Sequence, residues 1–397
     1  MADHIPFISG KSDCEIVKKY YSDSHIIRLS LESIKDLRAD IPKRIPVWID
    51  PGIDGYHFIS LGIKTKDDWR KDFLAQFAES DVLIDTQSFN SPNKTRIQQF
   101  VKSALDKCRE YKPAWITIPQ LPVVSDNSRN KINRMLASAT NEWRSNAGFD
   151  GKLILPLIFS RQQQLKGRTQ WKSKLELAKR CFREAGADGV WAVDADLEDE
   201  KGSGTFDNRF PKLIEFYTDL KDFFREQSII IAGPHWGINL VLWVKGLCDY
   251  PAVGLGTGYR YYITKGHKHP PLSRIALPPL RRRAIVNNEL RIWLDDSLST
   301  LSRSDAVFGD LKMLLDRFDF FAAQEEAKTQ VAQFYKNWFN KIETNPPSGR
   351  TLALYQDLAS AYVLGRQLAG QVGNLPSSEK SARDPAKIAK QLMLICL

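Results

Sequence analysis

Seven short apolar runs punctuate residues 45–262, and that rhythm constrains the fold more than any other feature of the chain. They are IPVWIDPG (45–52), DVLIDTQSF (81–89), PAWITIPQLP (113–122), KLILPLIFS (152–160), DGVWAVDAD (188–196), SIIIAGPHWG (228–237) and PAVGLGTGYRYY (251–262). HIPFISG (4–10) reads as a short opening strand ahead of them. A strand that is apolar on both faces must be covered on both. Stretches with helical spacing separate most of the runs, at 14–23, 67–80, 94–111, 127–146, 170–186 and 210–225. Strands that alternate with helices predict a parallel sheet. The expected fold class is therefore α/β, a (β/α)8-type barrel followed by a C-terminal helical region. Most runs end in Asp, Gly, Pro or His, and the C-terminal ends of the strands are where such a barrel builds its site.

A chain of 397 residues is long enough for a barrel plus an appendage. The barrel domain is expected over 1–283, ending in the Pro-rich basic segment HKHPPLSRIALPPLRRR (267–283). Beyond it the strand rhythm stops, and 284–397 reads as helical. NNELRIWLDDSLSTL, SDAVFGDLKMLLDRFDFF, AAQEEAKTQVAQFYKNWFNKI and LALYQDLASAYVLGRQLAGQV are its main segments. NPPSG (345–349) breaks it, and a polar tail (374–385) precedes a last short helix, AKIAKQLMLICL.

No apolar stretch reaches the roughly 18 residues that a membrane span requires, so no membrane partner is expected. The start of the chain lacks a basic region followed by a long apolar stretch, so no signal peptide is expected. Cys14, Cys108, Cys181, Cys248 and Cys396 are scattered and odd in number. That pattern fits reduced thiols in a cytoplasmic protein. No CxxC or HExxH occurs, and no metal or other cofactor is expected. GxSxG is absent too, so nothing supports a serine triad.

The net charge is +10. Between Tyr259 and Arg283 lie Arg260, Lys265, Lys268, Arg274, Arg281 and Arg282 with no acidic residue, while Tyr261, Tyr262, His267 and His269 are interleaved. Cations neutralise phosphates and aromatic faces stack on bases, so this segment is a candidate nucleic-acid contact. A solvated basic loop is the plainer reading.

Asp50, Asp85, Asp194 and Asp196 all follow apolar runs. In a parallel barrel such carboxylates can converge on one mouth and divide acid and base work. Taken singly, each is equally a helix cap or a loop residue. His235 and Trp236 sit in a Gly-Pro turn, where His235 is a candidate proton carrier, ligand contact or structural histidine. GLGTGYRYY (254–262) is neither a dinucleotide fingerprint nor a phosphate-binding P-loop. Its backbone near Gly256 offers close approach to a ring, sugar or phosphate, or else makes a tight closing turn.

Over residues 4–265 the order of strand ends resembles the tRNA-guanine transglycosylase superfamily, barrels that exchange a purine base in nucleic acid. DVLIDTQSF looks like that family's ILTDSGGF element, and the resemblance implies that Asp85 acts as general acid/base or nucleophile. VWIDPGIDGYHF (47–58) is similar to an earlier family strand that ends in a Tyr-His pair, which places Asp50 near substrate. Gln120 stands close to the family's base-reading Asp. GVWAVDADLE falls on its Gly-rich base-binding strand, and SIIIAGPHWGINLVLWVKGLCDY on the strand, turn and helix before its nucleophile strand. Ala252 occupies the nucleophile's expected place, and Asp249 is the nearest carboxylate. The family's three cysteines and a histidine after the barrel are missing, so its zinc is not expected.

The resemblance implies an enzyme that exchanges a guanine-type base for a deazaguanine in nucleic acid, with DNA favoured over tRNA. Asp85 is the first catalytic candidate, followed by Asp194, Asp196 and Asp249. Asp50, Gln120, His235, Trp236, Gly256 and Tyr259 would meet the base. Arg260, Lys265, Lys268, Arg274, Arg281, Arg282 and Arg283 would hold phosphates. Two alternatives stay open: a non-catalytic nucleic-acid-binding subunit of a modification or defence assembly with protein partners, and a barrel hydrolase acting on a small molecule.

Overall fold

A computed structural model describes residues 4–52, 93–122, 127–159, 167–195, 197, 209–224, 228–235, 237–255, 274–285, 320–372 and 385–397. Eight parallel strands close into a barrel, each paired with the next and the last with the first. They are β1 (Ile5–Ile8), β2 (Ile27–Ser30), β3 (Val47–Asp50), β4 (Trp115–Thr117), β5 (Lys152–Phe159), β6 (Gly189–Asp194), β7 (Ile229–Ala232) and β8 (Tyr250–Gly254). The α/β barrel expected from the sequence is thus the fold of the chain.

The strand list differs from expectation at one place. β3 pairs directly with β4, Trp48 opposite Trp115, and the eight described strands close the ring. That run, with Asp85, lies outside the described residues. The eighth strand is instead β2, from the short sequence IRLS. Its four residues carry an arginine, which hides it among the longer apolar runs.

Strand alternation sorts the side chains into two layers. Phe7, Trp48, Trp115, Ile154, Trp191 and Ile231 belong to an inner cluster that fills the lumen. Ile8, Ile49, Leu155, Val190 and Ala232 face outward, into the layer shared with the helices. Ridge-forming apolar residues at helical spacing complete that layer. In α5 (Arg168–Ala185) they are Trp171, Leu175, Ala178, Cys181 and Ala185, all buried.

The first seven strands are each followed by a helix: α1 (Lys11–Tyr20), α2 (Leu31–Leu37), α3 (Lys94–Arg109), α4 (Asn127–Ala147), α5, α6 (Arg209–Phe223) and α7 (Ile238–Val244). The eighth place is taken from far along the chain, by α8 (Phe320–Glu343). α8 lies against both α1 and α7. Tyr21 Oη donates to the Ala332 carbonyl (2.8 Å), and Phe339 packs on Trp243 with ring centroids 4.5 Å apart. α9 (Pro347–Val372) and α10 (Lys387–Cys396) pack outside α7, and α10 also reaches α6. Pro347 opens α9 at the first helical position, where its missing N–H costs nothing. The C-terminal helices therefore complete the barrel wall.

Between β8 and α8 stands an antiparallel hairpin, β9 (Arg274–Leu277) and β10 (Arg282–Ile285). No described helix is long and apolar enough to cross a membrane.

Candidate functional site at the barrel mouth

The two ends of the lumen differ. At the N-terminal end, His25 stacks on Tyr250 with centroids 5.7 Å apart, and Trp115 meets both rings edge-on. Lys152 Nζ lies 5.7 Å from the Trp115 ring. This end is plugged.

At the C-terminal end the lumen carries a charged pair. Arg28 and Asp50 follow the inward parity of Ile26 and Trp48, and their side chains form a salt bridge. Asp50, the last residue of β3, is 2% exposed, and its Oδ1 also accepts the Gly52 N–H (3.1 Å). The Arg28 guanidinium stands over the faces of Phe7 (4.8 Å) and Trp191 (5.4 Å). Ring quadrupoles favour a cation there, and the rings also fix its orientation. Below the pair, Trp48 Nε1 donates to Thr117 Oγ1 (2.8 Å) and Trp191 Nε1 to the Gly233 carbonyl (2.6 Å). The indoles are thereby locked, and the mouth has a rigid floor.

His235 follows the turn after β7 and is buried. Gly233 has φ 105°, and a Cβ there would lie 2.5 Å from the His235 nitrogen, so only glycine fits this turn. Its N–H donates to the Ala192 carbonyl (3.1 Å), tying the turn to β6. Two strands further round the ring, Asp13 Oδ2 accepts the Ser9 N–H (2.8 Å) and the Gly10 N–H (3.2 Å), which braces the turn after β1.

Other expected site residues are placed elsewhere. Asp249 precedes β8, at the plugged end. Its Oδ2 accepts the Ile230 N–H (2.8 Å), and its own N–H donates to the Ile230 carbonyl (2.8 Å). Asp188 does the same before β6, accepting the Leu153 N–H (2.8 Å) and donating to the Leu153 carbonyl (2.8 Å). The Asp249 carboxylate ties two strands together, and its position corrects the expectation of a catalytic Asp249.

Asp194 ends β6 at the correct end but on the wrong face. It pairs in register with Phe159, which packs on Phe216 of α6 at 4.4 Å. Its inward neighbours are Val193 and Ala195. Asp194 therefore faces the helix layer, close enough to Tyr217 to help burial and Cys248 raise that phenol. Its orientation corrects the expectation of a catalytic Asp194 in the mouth. Gln120 is also engaged: its Nε2 donates to the carbonyls of Pro119 (2.9 Å) and Asn133 (3.0 Å). Asn133 in turn brackets Leu121, accepting its N–H (2.7 Å) and donating to its carbonyl (3.0 Å). Gln120 thus fastens the loop after β4 to α4.

Two of the expected phosphate-binding arginines are structural. Arg281 holds Asp357 of α9 and lies over the rings of Phe334 (4.6 Å) and Trp338 (5.2 Å). Arg282 is 3% exposed. The Asp357 pairing of Arg281 and the burial of Arg282 keep both from meeting a phosphate strand, which corrects that part of the expectation. Arg274 and Arg283 lie on the hairpin strands. Asp196, Trp236, Gly256, Tyr259, Arg260, Lys265 and Lys268 lie outside the described residues.

Arg28 is the site residue that sequence reasoning missed. Its one signal is a cation between apolar neighbours in HIIRLS, on the face shared by Ile26 and Ser30. Among the described residues, no group of three His, Cys, Asp or Glu side chains could hold a metal.

The fold defines the class as a (β/α)8-type barrel. No family model matches the chain, and no curated protein matches it. A solved structure, the enoyl reductase domain of MlnA from the macrolactin biosynthesis cluster of Bacillus amyloliquefaciens, aligns over 99% of this chain and 93% of its own. The identity is 11% and the TM-score 0.30, a likeness too slight to carry an argument about fold or activity.

Proposed function

We propose that the barrel mouth binds a nucleobase of nucleic acid and exchanges it, with a guanine-type base as substrate and DNA favoured over tRNA. The observation that carries the reading is the buried Arg28–Asp50 pair at the C-terminal end of a lumen filled mainly by aromatic and aliphatic side chains. A buried ion pair is generally no more stabilising than apolar packing of the same volume, so stability alone does not explain it. It offers both a donor fork and an acceptor to a planar heterocycle resting on a rigid floor. A base reaches such a mouth only after leaving its stack. The transglycosylase resemblance supplies the chemistry, with Asp85 as the carboxylate acting at the sugar carbon and Asp196 as its alternate.

The test is incorporation of labelled guanine or deazaguanine into DNA and into tRNA. Asp85→Asn should abolish exchange and leave binding nearly intact. Asp50→Asn should raise KM for the incoming base. Unchanged turnover in Asp85→Asn would remove the catalytic assignment.

A second reading is a barrel that binds nucleic acid without exchanging bases, within a modification or defence assembly. The placement of Asp194 and Asp249 away from the mouth favours it, because it leaves fewer carboxylates for catalysis. Binding without exchange on any nucleic acid would select it.

A further inference from the structure

A groove of about 950 Å³ runs along the outer wall between α4 and α5. Lys131, Arg134, Lys174 and Arg180 line it, against Glu176 and Glu184. Glu184 is neutralised within the groove, since Arg134 Nε donates to its Oε1 (2.8 Å). Lys131 and Arg180 are exposed and make no ion pair among the described residues. The groove is therefore net positive, with two of its cations uncommitted.

Its position matters as much as its charge. Barrel helices run antiparallel to the strands they follow, so their first turns stand at the mouth end. Lys131 and Arg134 lie in the first turns of α4, and Lys174 lies in the second turn of α5. The groove thus begins beside the mouth rim and descends the wall. From Ser173 to Glu184 its α5 side runs about 16 Å at 1.5 Å per residue. One strand of B-DNA presents about five phosphates over that length.

We propose that this groove is a track for the phosphate backbone of the nucleic acid whose base enters the mouth. The inference rests on the nucleic-acid reading given above and deepens it. A nucleotide extruded into the mouth leaves its flanking strand across the rim. Arg281 and Arg282 are engaged with the C-terminal helices or buried, whereas Lys131 and Arg180 of α4 and α5 are exposed and make no ion pair among the described residues.

The test is the salt dependence of binding to a fluorescein-labelled DNA duplex carrying an unpaired guanine. Three full-length proteins are compared: wild type, Lys131→Gln/Arg180→Gln, and Lys35→Gln/Lys43→Gln. The last removes the same charge from exposed positions on α2 and the loop before β3. All four side chains are exposed, so the folded barrel should tolerate the changes. Each lost phosphate contact lowers the slope of log Kd against log salt by about 1. The groove variant should therefore lose about 2 from the wild-type slope, and the control variant almost nothing. Equal slopes in the two variants would overturn the track and leave the groove to an acidic protein partner. A wild-type affinity that does not change with salt would overturn the nucleic-acid reading itself, and the track with it.

Discussion

Arg281 grips Asp357 through two parallel hydrogen bonds, Nε to Oδ2 at 2.7 Å and Nη2 to Oδ1 at 2.8 Å. The fork spans 76 residues and fastens the β9–β10 hairpin to α9. Arg281 sits at φ 53°, a left-handed conformation that costs an L-residue about 1–2 kcal/mol. The fork and the two rings beneath the guanidinium offset that cost. Burial pushes the Asp357 carboxyl up, but Arg281 and Lys341 outweigh it and hold the group below its usual range.

Asp357→Ala should therefore destabilise the protein by about 3 kcal/mol, because it strands a largely buried guanidinium. Lys341 is 67% exposed, and Lys341→Ala should cost less than about 1 kcal/mol. The pH dependence follows from the depressed carboxyl. Its stabilisation is complete above the unfolded pKa of about 3.9 and fades as pH falls through the lower folded value. Urea unfolding of both variants checks the order, and equal losses would refute it.

His4 gives a separate acid limb. It is enclosed by Tyr21, Tyr335 and Phe339, and its Nε2 lies 3.0 Å from Tyr21 Oη. Burial, reinforced by Lys336 and opposed by Asp23, lowers its pKa to about 3. The folded protein holds it neutral, while the unfolded chain binds a proton below about pH 6.5. Stability is complete above that value and falls as pH drops towards 3, by up to about 5 kcal/mol. His4→Phe keeps the Tyr21 bond to Ala332 possible and should flatten the decline between pH 6 and 4. An unchanged acid limb in that variant would assign the loss to other groups.

These two anchors join segments that look independent in sequence, and they show where sequence reading stops. Six of the seven apolar runs, together with the opening strand, became barrel strands because buried parallel strands are apolar on both faces. The helices at 94–111 and 170–186 were legible from spacing, since one face must meet the sheet. β2 was not legible: four residues with a central arginine carry no run. The carboxylates were harder still. An Asp at a run's edge ends one strand or begins the next, and parity decides which way it points. Asp50, Asp194 and Asp249 look alike in sequence, yet one faces the lumen, one the helices and one the plugged end. Charge counting found Arg281 but could not see its partner 76 residues away.

The mouth pair separates binding from stability. Asp50→Asn leaves the Arg28 cation over two rings without its counter-ion and should cost about 3 kcal/mol. A paired replacement, Arg28→Met with Asp50→Leu, should recover most of that loss, since apolar packing suits the lumen. Under the base-binding reading, the paired variant melts near wild type yet loses base affinity and exchange. Thermal melts alongside base titration check this, and full base affinity in the paired variant would show the ion pair to be structural.

The twin strand ties give the sharpest contrast between the expected and observed roles of Asp249. Asp249 and Asp188 each bracket the residue opposite them, Ile230 and Leu153, at the end of the barrel away from the mouth. Asp249→Ala leaves the Ile230 N–H without its carboxylate partner and should cost about 1–3 kcal/mol. Asp249→Asn keeps an acceptor oxygen and should cost less. Neither change should lower the turnover of folded protein in the base-exchange assay, because the carboxylate lies at the wrong end to meet a base. Asp188 also meets Arg144 Nη1 at 3.1 Å, so Asp188→Ala should cost at least as much as Asp249→Ala. A hundredfold fall in turnover for Asp249→Asn, with an unchanged melting temperature, would return Asp249 to the catalytic set and place the site at the other end of the barrel.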